Sequence, residues 1–347
     1  MILDRDPEFR ETVLFYYLTE LGRRADQVSA AELEEWMNHC RNGMTGEKLQ
    51  QLFHDSSEGV AYRNRPIEPD PPTKIHLEIR GIDFVDPDGN RVVLRGTDQF
   101  SAYRRYLDGV DLTPLIEESK ELGFNMWRVF MMGSARQNNI LELVPSVTPG
   151  YYDHLGSFAN FLNANGIILL AAVFVDAQDC MPNRDDQLIH WGMVADRLRG
   201  TSTLLSGGNE FSKNGFDPTV LPNPGMFWSR GSDQGDRQPV KPYGSFAEFH
   251  PRRDLPASLL DSVASPVTLY GWGLNVPLII DEPIGFAEGD KPGSRSADPR
   301  LAWRLARHYS TEAAGAVYHN DSGMRCQPMS TRVLECAQEW VKGMKIN

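Results

Sequence analysis

Between residues 91 and 208 one pattern repeats: a short apolar run rich in β-branched residues, then a longer amphipathic segment. "RVVLRGT" precedes "LTPLIEESKELG", "FNMWRVFMM" precedes "YYDHLGSFANFLNANG", and "IILLAAVFV" precedes "RDDQLIHWGMVADRLRG". "STLLSGG" opens a fourth round. The short runs are continuously apolar, as strands are when both faces are covered, and the longer segments place apolar residues at helical spacing. Successive βα units predict a parallel sheet with helices packed outside it. "MFWSRGS", "SFAEFH", "VPLIIDE" and "AAGAVYH" supply four more strands, and "PRLAWRLARHYS" and "TRVLECAQEWVKGM" supply helices after the last two. Eight strands is the number that closes a (β/α)8 barrel. From Phe211 to Ser245 no convincing helix is visible, so the fourth and fifth helices are expected to be reduced to loops.

An open doubly wound sheet would carry a glycine-rich phosphate turn after its first strand, where this chain has "LRGTDQFSAYRRYLDG". In a barrel, function sits where the strands end at the carboxyl face. Those ends read Asp98 and Gln99, Arg128, Asp176, Asn209 and Glu210, Trp228 and Arg230, His250, Asp281 and Glu282, then His319 and Asn320. Every one is polar or aromatic.

Ahead of the barrel, residues 1–62 read as a small helical unit. Val13, Leu14, Tyr17, Leu18 and Leu21 keep helical spacing, Ser29 and Gly43 bracket a second helix, and "TGEKLQQLFHDSSEGVAYRN" supplies a third. The proline-rich, charged stretch 63–74 is a linker, and the barrel domain occupies 75–347. It opens with a hairpin in "LEIRGIDFVDPDGNRVVLRG", turning at Asp-Pro-Asp-Gly.

The composition narrows the chemistry. With 35 basic and 47 acidic residues the formal net charge is −12, the wrong sign for a nucleic-acid groove or an anionic membrane surface. "GIILLAAVFV" is too short to span a bilayer, so no membrane insertion is expected. "MILDRDPEFRE" has no apolar signal core, which points to a cytoplasmic protein or to export by a non-classical route. Cys40, Cys180, Cys326 and Cys336 form no Cys-x-x-Cys pair and are expected as buried free thiols. No zinc-binding, phosphate-binding or dinucleotide-binding motif is present, so neither a metal nor a cofactor is expected. Chemistry would then rest on carboxylates.

"FVDPDGNRVVLRG", "LGFNMWRVF", "GGNE" and "VPLIIDEP" stand in an order and spacing that resembles the largest clan of retaining glycoside hydrolases, clan A, over residues 75–345. The resemblance implies a (β/α)8 barrel with catalytic glutamates on its fourth and seventh strands. It makes Glu210, after Asn209, the acid/base and Glu282 the nucleophile. Retaining cleavage uses two carboxyls about 5–5.5 Å apart, one protonated to leave with the departing oxygen and one ionised to attack. Adjacent strand residues point to opposite faces, so only one of Asp281 and Glu282 can face the mouth. The clan's register selects Glu282 and sends Asp281 to the outer face or to a backbone partner.

The same resemblance makes Arg128 the cation that keeps the nucleophile ionised and Asn209 the partner of the sugar's 2-hydroxyl. His250 matches a histidine on the sixth strand. Trp228 and Tyr318, with Trp127 and Tyr103, are amphipathic aromatics that could stack on sugar faces or pack in the core. The tyrosine pattern near the sixth strand and the tryptophan after the eighth are missing, with "VYHNDSG" in the latter place. That leaves two functions open. One is a retaining glycosidase acting on a β-linked oligo- or polysaccharide; the other is a barrel that binds glycans, or builds a surface or particle structure, without cutting. The helical unit is similar to a short domain of unknown function found in bacterial surface and secreted proteins, which leaves a protein partner open.

Overall fold

The computed structural model describes residues 13, 28–58, 60, 76–134, 140–233, 244–251, 275–283, 285–286 and 299–345. The first expected helix apart from Val13, the linker 63–74, and residues 234–243 in the region of the fifth helix lie outside the described residues.

In the N-terminal segment, α1 (Ala30–Arg41) starts at Ser29 as its cap. The Ser29 hydroxyl accepts from the Glu32 amide at 3.2 Å, and the Glu32 carboxylate accepts the Ser29 amide at 3.0 Å. This reciprocal cap satisfies donors that the first helical turn leaves open. α2 (Gly46–Asp55) is capped by Thr45. Met37, Cys40, Leu49 and Phe53 bury with Val13 in a small apolar cluster.

β1 (Glu78–Arg80) and β2 (Asp83–Val85) pair antiparallel around Gly81, which adopts φ +63°. The expected turn at Asp86–Gly89 is also made, with Gly89 N–H on Asp86 O at 2.9 Å and Val92 N–H returning to Phe84 O at 2.8 Å. The hairpin read from the sequence is therefore a meander of three short segments, because glycines permit a reversal at both places.

The barrel then unfolds in order: β3 (Leu94–Asp98), α3 (Ala102–Leu107), α4 (Thr113–Leu122), β4 (Met126–Phe130), α5 (Tyr151–Ala164), β5 (Ile168–Phe174), α6 (Ala177–Cys180) and α7 (Arg184–Leu198). β6 (Thr203–Gly208), β7 (Trp228–Ser229), β8 (Ala247–Phe249), β9 (Leu278–Ile280) and β10 (Gly285–Phe286) follow. α8 (Pro299–Glu312), β11 (Gly315–Asn320), α9 (Asp321–Met324) and α10 (Thr331–Lys345) complete it. The hydrogen-bonded order is β7-β6-β5-β4-β3-β11-β9-β8, with every pair parallel, and β10 pairs beside the end of β11. These eight strands form a nearly closed (β/α)8 barrel. The remaining seam, between β7 and β8, is bridged where Ser245 and Phe246 amides reach Trp228 O at 2.7 and 3.3 Å. After β6 the helix is replaced by a single 3-10 turn, Pro218–Val220, as the sequence suggested for the fourth helix.

Period two sorts each strand's side chains between two compartments. Leu94, Met126, Ile168, Leu170, Leu204, Ile279 and Val317 fill the barrel axis, and Leu77, Phe84 and Phe246 join them. Leu169, Ala171 and Val173 face α5 and α7 instead, while Ile280, Ala316 and Tyr318 face α8 and α10. The apolar plug fills the lower axis, so polar side chains collect at the opposite, carboxyl end. Gly231 (φ +89°) lets β6 and β7 approach there, since a Cβ at that position would collide with the carbonyl oxygen of Gly208.

Candidate active site

Arg128 is the centre of the carboxyl end. It shares a face with Met126 on β4, one period above the plug, and is fully buried. Nη1 donates to Glu282 Oε1 at 2.6 Å. Nη2 donates to Asn209 Oδ1 at 2.7 Å and to Asp281 Oδ2 at 2.8 Å. The planar fork of arginine can serve several acceptors in fixed directions, which the single ammonium of lysine cannot. Phe100 and Phe130, stacked with centroids 3.6 Å apart, lie 5.5 and 5.4 Å from the guanidinium carbon. Burial works against the charge on Arg128, but Asp281, Glu282 and Asp98 outweigh it and hold the guanidinium protonated above its ordinary range.

Glu282 follows the end of β9 and is 4% exposed. His250, just beyond β8, sets Nε2 3.4 Å from Glu282 Oε2 and Nδ1 3.8 Å from Asp281 Oδ1. Asp281 does not turn to the outer face, where the clan's register would send it. Ile279 faces the axis and Ile280 the outer layer, so period two turns Asp281 inward; β9 ends at Ile280, and beyond it Glu282 departs from the alternation, so both carboxylates reach Arg128. Ser232 Oγ also bonds Asp281 Oδ2. Burial raises the Asp281 carboxyl to about 6, against the opposing pull of Arg128 and His250.

Asn209 and Glu210 leave β6 together. Asn209 forms a parallel bridge with Ser232, and its backbone carbonyl accepts from Asn214 Nδ2 at 2.8 Å. Glu210 turns the chain in the left-handed region at φ +45°, a strained conformation for a residue with a Cβ. Its carbonyl accepts from the Lys213 and Asn214 amides at 2.9 and 3.0 Å, and its side chain is paired with Lys213 Nζ at 2.7 Å.

Two of the proposed sugar contacts are placed elsewhere. Trp228 packs edge-on against Trp191 at 5.9 Å, between β7 and α7. Tyr318 donates to Val333 O at 3.1 Å and lies among Phe124 and Trp340 in the layer beneath α10. Both face outward because their strand neighbours, Ser229 and Val317, face the axis. Trp127 donates to Ser119 Oγ at 2.9 Å and Tyr103 to Tyr151 O, so these are core residues too. The structure adds a residue that sequence reasoning missed. Glu248 is fully buried on β8 and bonds Ser229, and burial raises its carboxyl above the ordinary range. Period two counted back from His250 would have found it.

Among the described residues no cluster of three or more His, Cys, Asp or Glu is arranged to hold a metal ion. All four cysteines are free and buried. No helix among the described residues is long and apolar enough to cross a membrane.

No protein-family model matches the chain, and no curated protein matches it in sequence. Solved structures do share its fold. A glycoside hydrolase family 5 structure from Bacteroides vulgatus is 13% identical with a TM-score of 0.51, over 72% of this chain and 63% of that one. A second structure, named simply a glycoside hydrolase, is 13% identical with a TM-score of 0.51, over 72% of this chain and 66% of its own. The chain thus spans 63% and 66% of the length of these two relatives. At 13% identity these likenesses show a shared barrel fold.

Proposed function

We propose that the protein is a retaining glycoside hydrolase that cleaves β-linked glycans, with Glu282 as nucleophile and Glu210 as acid/base. The observation that supports this best is the Arg128 guanidinium, which bonds Glu282 on one nitrogen and Asn209, the neighbour of Glu210, on the other. A structural barrel has no need to bury an arginine that ties the ends of the fourth and seventh strands together.

In the first step Glu282 attacks the anomeric carbon while the glycosidic C–O bond breaks, and Glu210 gives its proton to the departing oxygen. Arg128 and His250 face Glu282 from two sides and aim its carboxylate. In the second step water attacks the glycosyl-enzyme, Glu210 takes its proton, and Glu282 leaves. In this reading Asn209 bonds the sugar's 2-hydroxyl. Proton donation requires Glu210 to give up its ion pair with Lys213, whose side chain is 55% exposed and can turn to solvent when the leaving group binds.

That ion pair also favours the second reading, a barrel that binds glycans without cutting them. Hydrolysis of a panel of aryl β-glycosides and polysaccharides, with the first-formed anomer followed by NMR, separates the two. A β-configured initial product supports the proposal. An inverted product overturns the assignment of Glu282 as nucleophile, and no hydrolysis overturns the enzyme reading.

A further inference from the structure

One polar pair at the carboxyl end takes no part in the steps above. β3 and β11 run parallel with Thr97 opposite Tyr318, so Asp98 and His319 stand side by side one residue further on. Asp98 is fully buried and its Oδ2 bonds His319 Nδ1. Phe100, already stacked on Phe130, lies 5.7 Å from the imidazole and limits its rotation. The ring is fixed in place.

We propose that His319, oriented by Asp98, is a substrate-positioning residue that accepts a hydrogen bond from a hydroxyl of the sugar attacked by Glu282. The inference rests on the glycosidase reading. Location supports it first: Arg128 Nη1 lies 2.6 Å from Glu282 Oε1 and 4.0 Å from Asp98 Oδ1, so His319 stands one guanidinium away from the nucleophile. Chemistry supports it next. A carboxylate that accepts the Nδ1 proton leaves the neutral ring with a lone pair on Nε2, which is then an acceptor of defined direction. With Nδ1 held on the Asp98 carboxyl, Nε2 is the ring nitrogen left for another partner.

Comparison with His190 separates this arrangement from ordinary packing. His190 lies in the helical layer, 1% exposed, where Nδ1 meets the Tyr152 hydroxyl at 2.8 Å and burial depresses the ring to about 3. His319 instead sits at a strand end at the barrel mouth and keeps 7% exposure on the same scale. Where the sequence lacks an aromatic platform after the eighth strand, it has a polar group with a built-in orienting partner.

The test pairs His319 variants with monodeoxy analogues of one cleaved aryl glycoside, each lacking a single hydroxyl. In the wild type, removing the hydroxyl that His319 accepts should lower kcat/KM about ten- to a hundred-fold. His319→Ala should lower kcat/KM for the parent by a similar factor, and in that variant the same deoxy analogue should lose no more than about two-fold. His319→Gln, which keeps an acceptor, should recover part of the loss and carries the test if the alanine variant does not fold. Asp98→Asn should weaken discrimination at that same hydroxyl alone. Equal penalties for every analogue in wild type and variants overturn this inference while leaving the glycosidase reading intact. Absence of turnover by the wild type overturns both.

Discussion

Asp281→Asn is expected to remove a large pH dependence from the stability of the fold. The Asp281 carboxyl stands at about 6 in the folded protein, against 3.8 for the ordinary group, mainly because it is buried. The folded state therefore binds that proton more tightly than the unfolded chain does, and stability falls as pH rises between the two values. The stabilising contribution is fully present below about pH 3.8 and is lost as pH passes about 6. At about 1.4 kcal/mol per pH unit the loss amounts to about 3 kcal/mol. Asparagine has no such proton, so the unfolding free energy of the variant relative to wild type should rise by about 2 kcal/mol from about pH 4 to about pH 7, the rest of the change lying below about pH 4. Its amide oxygen can still accept from Arg128, so the comparison preserves the local geometry. Asp98 and Glu248 are raised by burial as well. With one competing carboxylate gone they gain more from Arg128, which acts in the same direction. Urea unfolding followed by tryptophan fluorescence measures the difference at each pH. A difference that stays constant across the range, or shrinks as pH rises, refutes the reasoning.

Other expectations concern the proposed catalytic pair, the displaced aromatics and the N-terminal helices. Glu282→Gln should abolish retaining cleavage for every leaving group, whereas Glu210→Ala should spare activated aryl glycosides in the first step and regain turnover with azide; wild-type rates in both variants on a cleaved substrate would sink the assignment. Tyr318→Phe should cost about 1 kcal/mol through its lost bond to Val333 O and leave KM unchanged, which paired unfolding and kinetic measurements check. Removal of residues 1–62 should leave a folded barrel, since α1 and α2 bury their own cluster; a cooperative thermal transition in the shortened chain is the expected result. Arg300, already 53% exposed, would lose its bond to Gln51 at 2.8 Å, and aggregation of the shortened chain would show that the helices cover the barrel instead.

Much of the fold was legible because the strands are apolar runs separated by helical spacing, and that signal survives without tertiary knowledge. β4, β5 and β6 fall within the stretches read as strands. β7 is harder: it has two residues, and its pairing depends on the close approach allowed by Gly231. At the site, Arg128, Asn209, Asp281, Glu282 and His250 converge, while Trp228 and Tyr318 do not. The failure has a simple cause. Residue type suggested sugar stacking, but side-chain parity within β7 and β11 decides which face an aromatic occupies, and Ser229 and Val317 already hold the inner one. Parity holds at Asp281, which shares the inner face with Ile279, and fails at Glu282, because it is a rule of regular strand and β9 stops at Ile280. The partnership of Asp98 with His319 needed the β3–β11 register, which joins residues more than two hundred positions apart and leaves no mark in the sequence.

The left-handed backbone of Glu210 has a bearing on how this chain responds to selection. A glutamate at φ +45° costs about 1 kcal/mol or more against residues that tolerate that region, glycine and asparagine foremost. A library randomised at this codon and sorted only for survival of heat or protease should drift toward those two residues. Sorting the same library for whatever the barrel does in its host should return glutamate. Disagreement between the two outcomes would mark codon 210 as held by activity against the preference of the polymer.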